Sequence, residues 1–218
     1  LRILSWTWLF HALQGSESWS DRGFRARFLC ALWLQADFVE RHWEQSDVNG
    51  NHFDADAAGL VVAGLFFGEG RAPGRWAAGG WAALERELPL QVHPDGVDFE
   101  SSTAYHRLVG ELFLLPALHR QALGLAVPAT YRERLLAMGR FAAAAARPGS
   151  GEAPLWVDAD DGRALPLGGQ PLSDHRHLAA CIALALGDEP LLAEMAGTPR
   201  AEAAWLLGCH AAARIPEA

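Results

Sequence analysis

Residues 57–67, AAGLVVAGLFF, constrain this chain more than any other stretch. Almost every side chain there is apolar or small, which suggests a helix buried nearly all round. A polar loop, DVNGNHFDAD, runs straight into it, and Asn49 and Gly50 are turn residues suited to the start of a helix. Asn51 and His52 follow where the chain begins to coil. Two hydrogen-bonding side chains on a buried helix are costly unless something polar meets them. Two readings stand at this point: Asn51 caps the backbone of its own helix, or Asn51 and His52 face a polar ligand.

The rest of the chain repeats the helical period. Helices are expected over 3–14 and 23–45, the second with Phe24, Phe28, Leu32, Gln35, Val39 and Trp43 on one face. Another spans about 76–90, with Trp81, Leu84 and Leu88 in one stripe. Ser101, Ser102 or Thr103 is placed to cap a helix through Leu115, with Pro116 as its expected kink or break. Further helices are expected over 128–146, 174–186, 190–196 and 200–213. Only the long loop between 147 and 170 has short-strand character, with at most a little sheet around 154–167. The class is therefore all-α. Turn-linked helices imply hairpins, and no fixed repeat of the solenoid type is visible. The chain is read as a single helical domain over 1–218. In a curved array of hairpins, the polar loops 46–56, 93–106 and 156–163 would share one rim.

Composition narrows the partners. Half of the 218 residues are hydrophobic and a fifth are charged, enough for a sizeable core. All eighteen basic residues are Arg, the net charge is -8, and no basic run appears. Nucleic acid is a poor partner on these grounds, and a polyanionic sugar would need a locally positive cleft. No apolar run reaches membrane length. Cys30, Cys181 and Cys209 show neither metal spacing nor a disulfide framework, and each reads as a small buried hydrophobe on a helix. The acidic loops DVNGNHFDADAAG and DADDGR lack the ligand set and closing Glu of a calcium loop. His175 and His177, two apart, do not share a helix face, so zinc by that pair is not expected. No metal or cofactor is expected. The chain opens on Leu1 within an apolar helical pattern and reads as a piece of a longer protein.

A second polar cluster shifts the balance toward the ligand reading of Asn51. Tyr105, one of two tyrosines, stands beside His106 at the start of its helix, as Asn51 and His52 stand at theirs. NGNHFDADAAGL, then DGVDFESSTAYHRLVGEL, then WVDADDGRALPLGG resembles the helical domain of heparinase II/III-type polysaccharide lyases, a group that includes alginate lyases of the same architecture. The resemblance runs from about Ile3 to the region of Leu186. It implies an (α/α) toroid of helical hairpins, incomplete in a chain of this length, followed in the family by a β-sandwich absent here. That sandwich is the implied partner domain, since the family's cleft lies between the two and the sandwich supplies a histidine. A periplasmic or secreted location and an acidic polysaccharide substrate are implied in the same way.

The implied reaction is β-elimination. A lyase removes the C5 proton of a uronic acid and expels the O4-linked sugar, and the carboxylate must be neutralised first. Asn51 suits that work as an amide donor, with His52 beside it as donor or base, and the resemblance gives these positions the same roles. Tyr105 matches the family's catalytic tyrosine, which protonates the leaving oxygen and in some members also takes the C5 proton. His106 and Arg163 are the candidate substrate-binding residues: His106 as support or sugar contact, Arg163 as a contact to the sugar carboxylate or a partner of its neighbouring aspartates. Two other classes stay open. An (α/α)-barrel glycoside hydrolase would draft two acids from Glu100, Asp54 and Asp160, and a noncatalytic carbohydrate-binding or assembly domain would need no Tyr-His pair.

Overall fold

The computed structural model describes residues 1–158 and 161–218. The expectations attached to Asp160 lie outside the described residues. Among those residues there are eleven helices and no strand, only the isolated bridges Val92–Asp98 and Glu152–Asp174. The chain divides into two compact units, residues 1–87 and 88–218.

The first unit holds α1 (Arg2–Leu13), α2 (Glu17–Ser20), α3 (Arg22–Arg41), α4 (Asn51–Phe67) and most of α5 (Arg71–Gln91). Asp21 caps α3, accepting from the amides of Gly23 and Phe24. The apolar run of α4 is buried from Ala57 to Gly64, as its composition predicts. It packs against α1 and α3, where Ile3, Leu32, Ala36, Leu60, Ala63 and Trp76 form one core cluster. α4 and α5 approach closely enough that a Cβ on Gly64 would lie 2.4 Å from the Ala77 amide nitrogen. On α3 the expected face is the covered one, with Leu32 buried and Phe24, Phe28, Gln35 and Val39 half-buried. Its opposite face leaves Leu34 and Phe38 exposed.

The second unit follows the end of α5 with α6 (Thr103–Ala122), α7 (Ala129–Ala145), α8 (Arg176–Leu186), α9 (Glu189–Glu194), α10 (Ala201–Leu207) and α11 (Cys209–Ala212). α6 is buried along most of its length and packs on α7 and α8. Gly110 lets Leu178 of α8 sit against it: a Cβ there would meet Leu178 Cδ2 at 2.7 Å. The Pro94-Asp95-Gly96 turn lies on α7. Gly96 has φ +92°, and a Cβ there would fall 2.1 Å from the Ala137 carbonyl oxygen, so only glycine fits.

Three expectations change and one, on the loop before α8, holds. α6 runs on through Pro116 to Ala122 without a break, because its packing on α7 and α8 holds the whole helix. The helix expected over 200–213 is divided at Gly208, whose φ of +90° no helix accommodates. The stretch 154–167, expected to hold at most a little sheet, forms no strand among its described residues, and its polar groups bond to α6 and α10. Cys181 is buried, but Cys30 and Cys209 are exposed; Cys30 lies on the side of α3 turned away from Leu32.

Candidate functional site

The start of α4 is built by its preceding loop. Gly50, not Asn51, occupies the N-cap position, so Asn51 is the first helical residue and capping does not account for it. Asn49 ties the loop down: its amide donates to the buried carboxylate of Glu87 at 3.0 Å, and its oxygen accepts from the Ser46 amide at 3.1 Å. Asp56 accepts from the backbone of Glu44 at 2.9 Å. Burial raises Asp56 above the usual carboxylate range, partly offset by that amide. Glu44 in turn reaches His52, with Oε2 2.7 Å from Nδ1. A carboxylate only accepts, so Nδ1 of the exposed imidazole carries a proton in this contact. Asn51 is half-buried one residue earlier.

The start of α6 is built by a different loop. Ser102 caps it, with Oγ accepting from the Tyr105 amide at 3.2 Å and donating to the Asp158 carbonyl at 2.6 Å. Thr103 donates to the Pro154 carbonyl at 2.7 Å and accepts from the Trp156 amide at 3.3 Å. These bonds dock residues 154–158 on the first turn of α6, and the half-exposed Tyr105 hydroxyl donates to Asp158 Oδ2 at 3.2 Å. Two non-glycine residues near this contact hold left-handed backbone, Ser101 at φ 59° and Val157 at φ 62°. For a β-branched residue such as Val157 that conformation is strained and persists only where its surroundings enforce it.

His106 turns inward. Its Nε2 donates to the Met138 carbonyl at 3.1 Å, its ring meets Phe141 edge-on, and Nδ1 has no hydrogen-bond partner. Burial lowers its pKa to about 4, against the pull of the Met138 carbonyl, so the ring is neutral at pH 7 with Nδ1 as an acceptor.

Arg163 is buried as well. Its guanidinium bonds Glu111 of α6 and, at 2.8 Å, Glu202 of α10, and all three side chains are buried. Glu111 also accepts from the Ala164 amide at 2.7 Å and pairs with His177 Nε2 at 2.9 Å. Burial would raise the Glu111 pKa, but the His177 hydrogen bond and the charges of His177 and Arg163 hold it below the usual carboxylate range. Beside this cluster Arg107 donates to the Gly162 carbonyl at 2.9 Å and contacts His175 Nε2 at 3.2 Å. Burial, then the charge of Arg107, lowers His175 to about 3. Among the described residues the ion-pair partners of Arg163 are glutamates from two helices, Glu111 and Glu202. Among the described residues no three His, Cys, Asp or Glu side chains are placed to hold a metal ion.

Asn51 and His52 belong to the first unit, and Tyr105, His106 and Arg163 to the second. Two contributors escaped the sequence reading, Glu44 behind His52 and Asp158 against Tyr105. Eight residues separate the first pair and fifty-three the second. Neither spacing is a motif, although the resemblance did point to the loop that carries Asp158.

Comparison with known proteins shows the family and the fold. The family described as Heparinase II/III N-terminus matches residues 1–165. A heparin-sulfate lyase from Pedobacter heparinus is 34% identical over 91 residues, covering 42% of this chain and 13% of that protein. A heparin-sulfate lyase from Bacteroides stercoris is 34% identical over 64 residues, 29% of this chain and 10% of that protein. The chain therefore spans only a small part of the length of these relatives. The crystal structure of heparinase III superposes with a TM-score of 0.60 at 22% identity, covering 73% of this chain and 23% of that one, and shares the all-α, toroid-type fold. The chain belongs to the heparinase II/III family, as its N-terminal helical part.

Proposed function

We propose that the protein containing this chain is a polysaccharide lyase that cleaves a uronic-acid-containing chain by β-elimination. Asn51 and His52 would engage the uronate carboxylate, Asn51 through its amide protons, lowering the cost of charge developing at C5. In its neutral form His52, with Nδ1–H turned to Glu44, offers Nε2 as the basic nitrogen at this helix start. Tyr105 would give its hydroxyl proton to the departing O4. In one elimination the C5–H pair becomes the C4–C5 double bond, the C4–O4 bond breaks, and the leaving oxygen takes the proton. Where Tyr105 also serves as the base for C5, it must first lose the hydroxyl proton that it donates to Asp158 Oδ2 in this structure, and the C5 proton it then takes is the one it gives to O4. Arg163 would support the reaction from behind its loop, held by Glu111 and Glu202.

The observation that carries this reading is the Tyr105 hydroxyl, held at the rim of α6 by a loop docked through four hydrogen bonds. A noncatalytic binding domain has no need to fix a phenol against a carboxylate beside strained backbone. The matched heparin-sulfate lyases support the same reaction class. The helical part is proposed to act as one domain over 1–218, with a β-sandwich of the same protein as its partner. The reading requires Asn51, His52 and Tyr105 to act on one sugar. Single substitutions Asn51→Ala, His52→Ala and Tyr105→Phe in the full-length protein test this. Each should depress kcat at least about a hundredfold; a variant with unchanged kcat removes that residue from the mechanism.

A further inference from the structure

A buried group of four side chains, Glu111, His177, Glu202 and Arg163, joins α6, α8 and α10 to the loop that carries Asp158. None of the four is more than 8% exposed. Their hydrogen bonds assign the charge of each. Glu111 accepts from Arg163 and His177 on one oxygen and from the Ala164 amide on the other. Glu202 accepts from Arg163 on one oxygen and from the Gly168 amide on the other. Donors on both oxygens fix both carboxylates as anions. His177 Nε2 stands 2.9 Å from Glu111 Oε1, and its Nδ1 stands 3.1 Å from the Asp174 carbonyl oxygen. Both neighbours only accept, so either neutral tautomer would set a nitrogen lone pair against an oxygen lone pair. The doubly protonated ring alone satisfies both contacts.

Within the group, two cations thus face two anions. Arg107 of α6 turns its guanidinium to the carbonyls of Leu172 and Gly162 and to His175. Burial, then the charge of Arg107, lowers His175 to about 3, so that ring is neutral. Burial pushes the Cys181 thiol up, and it too is neutral. The Asp174 carboxylate pairs with Arg176. On α7 and α9, which also pack on α8, Arg132, Glu133, Arg140, Glu189 and Glu194 are exposed and Arg134 bonds the Val92 carbonyl. The gap lined by Glu111, His177 and Glu202 is about 10 Å³, with room for at most one water. No dissolved ion can enter to compensate if one of the four changes charge.

We infer that His177 carries a proton on both ring nitrogens and is a positioning residue, whose charge holds the carboxylates that grip Arg163 and so the loop presenting Asp158 to Tyr105. Arg163 and Ala164 bond Glu111, while residues 154–158 of the same loop dock on the first turn of α6. Loss of the His177 proton as pH rises leaves two buried anions against one cation and loosens that grip. The consequence for catalysis rests on the lyase reading; the charge and its hold on the loop do not.

Nitrogen NMR of the full-length protein, labelled at histidine, reads the ring directly and needs no variant. At pH 7.5 both nitrogens of His177 should carry protons; one bare nitrogen overturns the inference. Hydrogen exchange reads the loop. His177→Gln should speed exchange of the Trp156 and Ala164 amides at least tenfold, and adding Glu202→Gln, which restores one cation to one anion, should return it to within threefold of wild type. Losses that add in the double variant overturn the inference, because a role in packing alone is not relieved by removing a carboxylate. On a uronate polymer, kcat should fall at high pH with the midpoint of the His177 ring titration. A fall that persists at that midpoint in His177→Gln overturns the positioning role. The outcomes separate: a doubly protonated His177 without lyase activity sinks the lyase reading alone, and lyase activity with a bare nitrogen on His177 sinks this inference alone.

Discussion

Tyr105 donates its hydroxyl proton to Asp158 Oδ2 across 3.2 Å, while the Asp158 carbonyl accepts from Ser102, the cap of Tyr105's own helix. One residue thus fixes both the phenol and the helix start that carries it. In the full-length protein, Asp158→Ala should lower kcat about tenfold or more with a smaller change in KM, and Asp158→Asn, which still accepts a hydrogen bond, should recover part of the loss. A purely structural role would move the melting temperature instead and leave the pH profile of kcat unchanged.

Glu44 and His52 make a second testable pair. Both side chains are well exposed, so their contact adds no more than about 1 kcal/mol to stability. Glu44→Ala should leave the melting temperature nearly unchanged and reduce kcat/KM severalfold, because the imidazole loses the acceptor that fixes its tautomer. Steady-state kinetics beside a thermal melt decides it, and unchanged kcat/KM would remove Glu44 from the account.

Arg163 separates anchoring from substrate contact. Removing one partner of a buried ion pair leaves the others uncompensated, so Arg163→Met should destabilise the second unit by about 3–5 kcal/mol. Arg163→Lys should restore little, since one ammonium cannot serve both glutamates as the guanidinium fork does. If Arg163 touched substrate instead, KM would rise with stability intact. Chemical denaturation and KM measured on the same variants tell these apart.

The helices were legible because their period is local. The stripe Trp81, Leu84, Leu88 and the burial of residues 57–64 follow from spacing alone, and the Ser-Ser-Thr run announced the cap that Ser102 provides. The resemblance carried the reading to Asn51 and Tyr105. What spacing did not reveal was long-range: Glu111 meets Arg163 across 52 residues, and no periodicity encodes which glutamate a buried arginine will choose. The same holds for Asp158, and for Cys30, whose side of α3 depends on neighbouring packing. Gly208 was readable as a possible break only through its backbone angle, which a helical pattern of alanines around it concealed.

Stability should respond to pH in two opposed ways. Burial lowers His106 from 6.5 to about 4 and His175 from 6.5 to about 3, so between those values the folded state binds fewer protons than the unfolded one. Their effect is that stability rises from about pH 3 to 6.5 and is level above. Burial, then the charge of Glu100, raises Asp98 from 3.8 to about 7, so there the folded state binds more protons and stability falls as pH rises through that window. Asp98→Asn removes only the second effect. Its stability relative to wild type should increase from pH 4.5 to 7.5 by on the order of 1–4 kcal/mol, at about 1.4 kcal/mol per pKa unit. A constant difference across that range would contradict the burial of a titrating Asp98.

The most direct measurement of the central claim is the product formed by the full-length protein. A panel of heparan sulfate, alginate and other uronate polysaccharides, followed by ultraviolet absorbance and product mass, distinguishes elimination from hydrolysis and from binding. Elimination leaves a C4–C5 double bond conjugated to the carboxylate, hydrolysis adds water and makes no such chromophore, and a binding domain makes no new ends. The account predicts absorbing, unsaturated products from at least one uronate polymer, with the rate reduced at least about a hundredfold in Tyr105→Phe. Saturated products, or unsaturated ones formed by Tyr105→Phe at the wild-type rate, would contradict it.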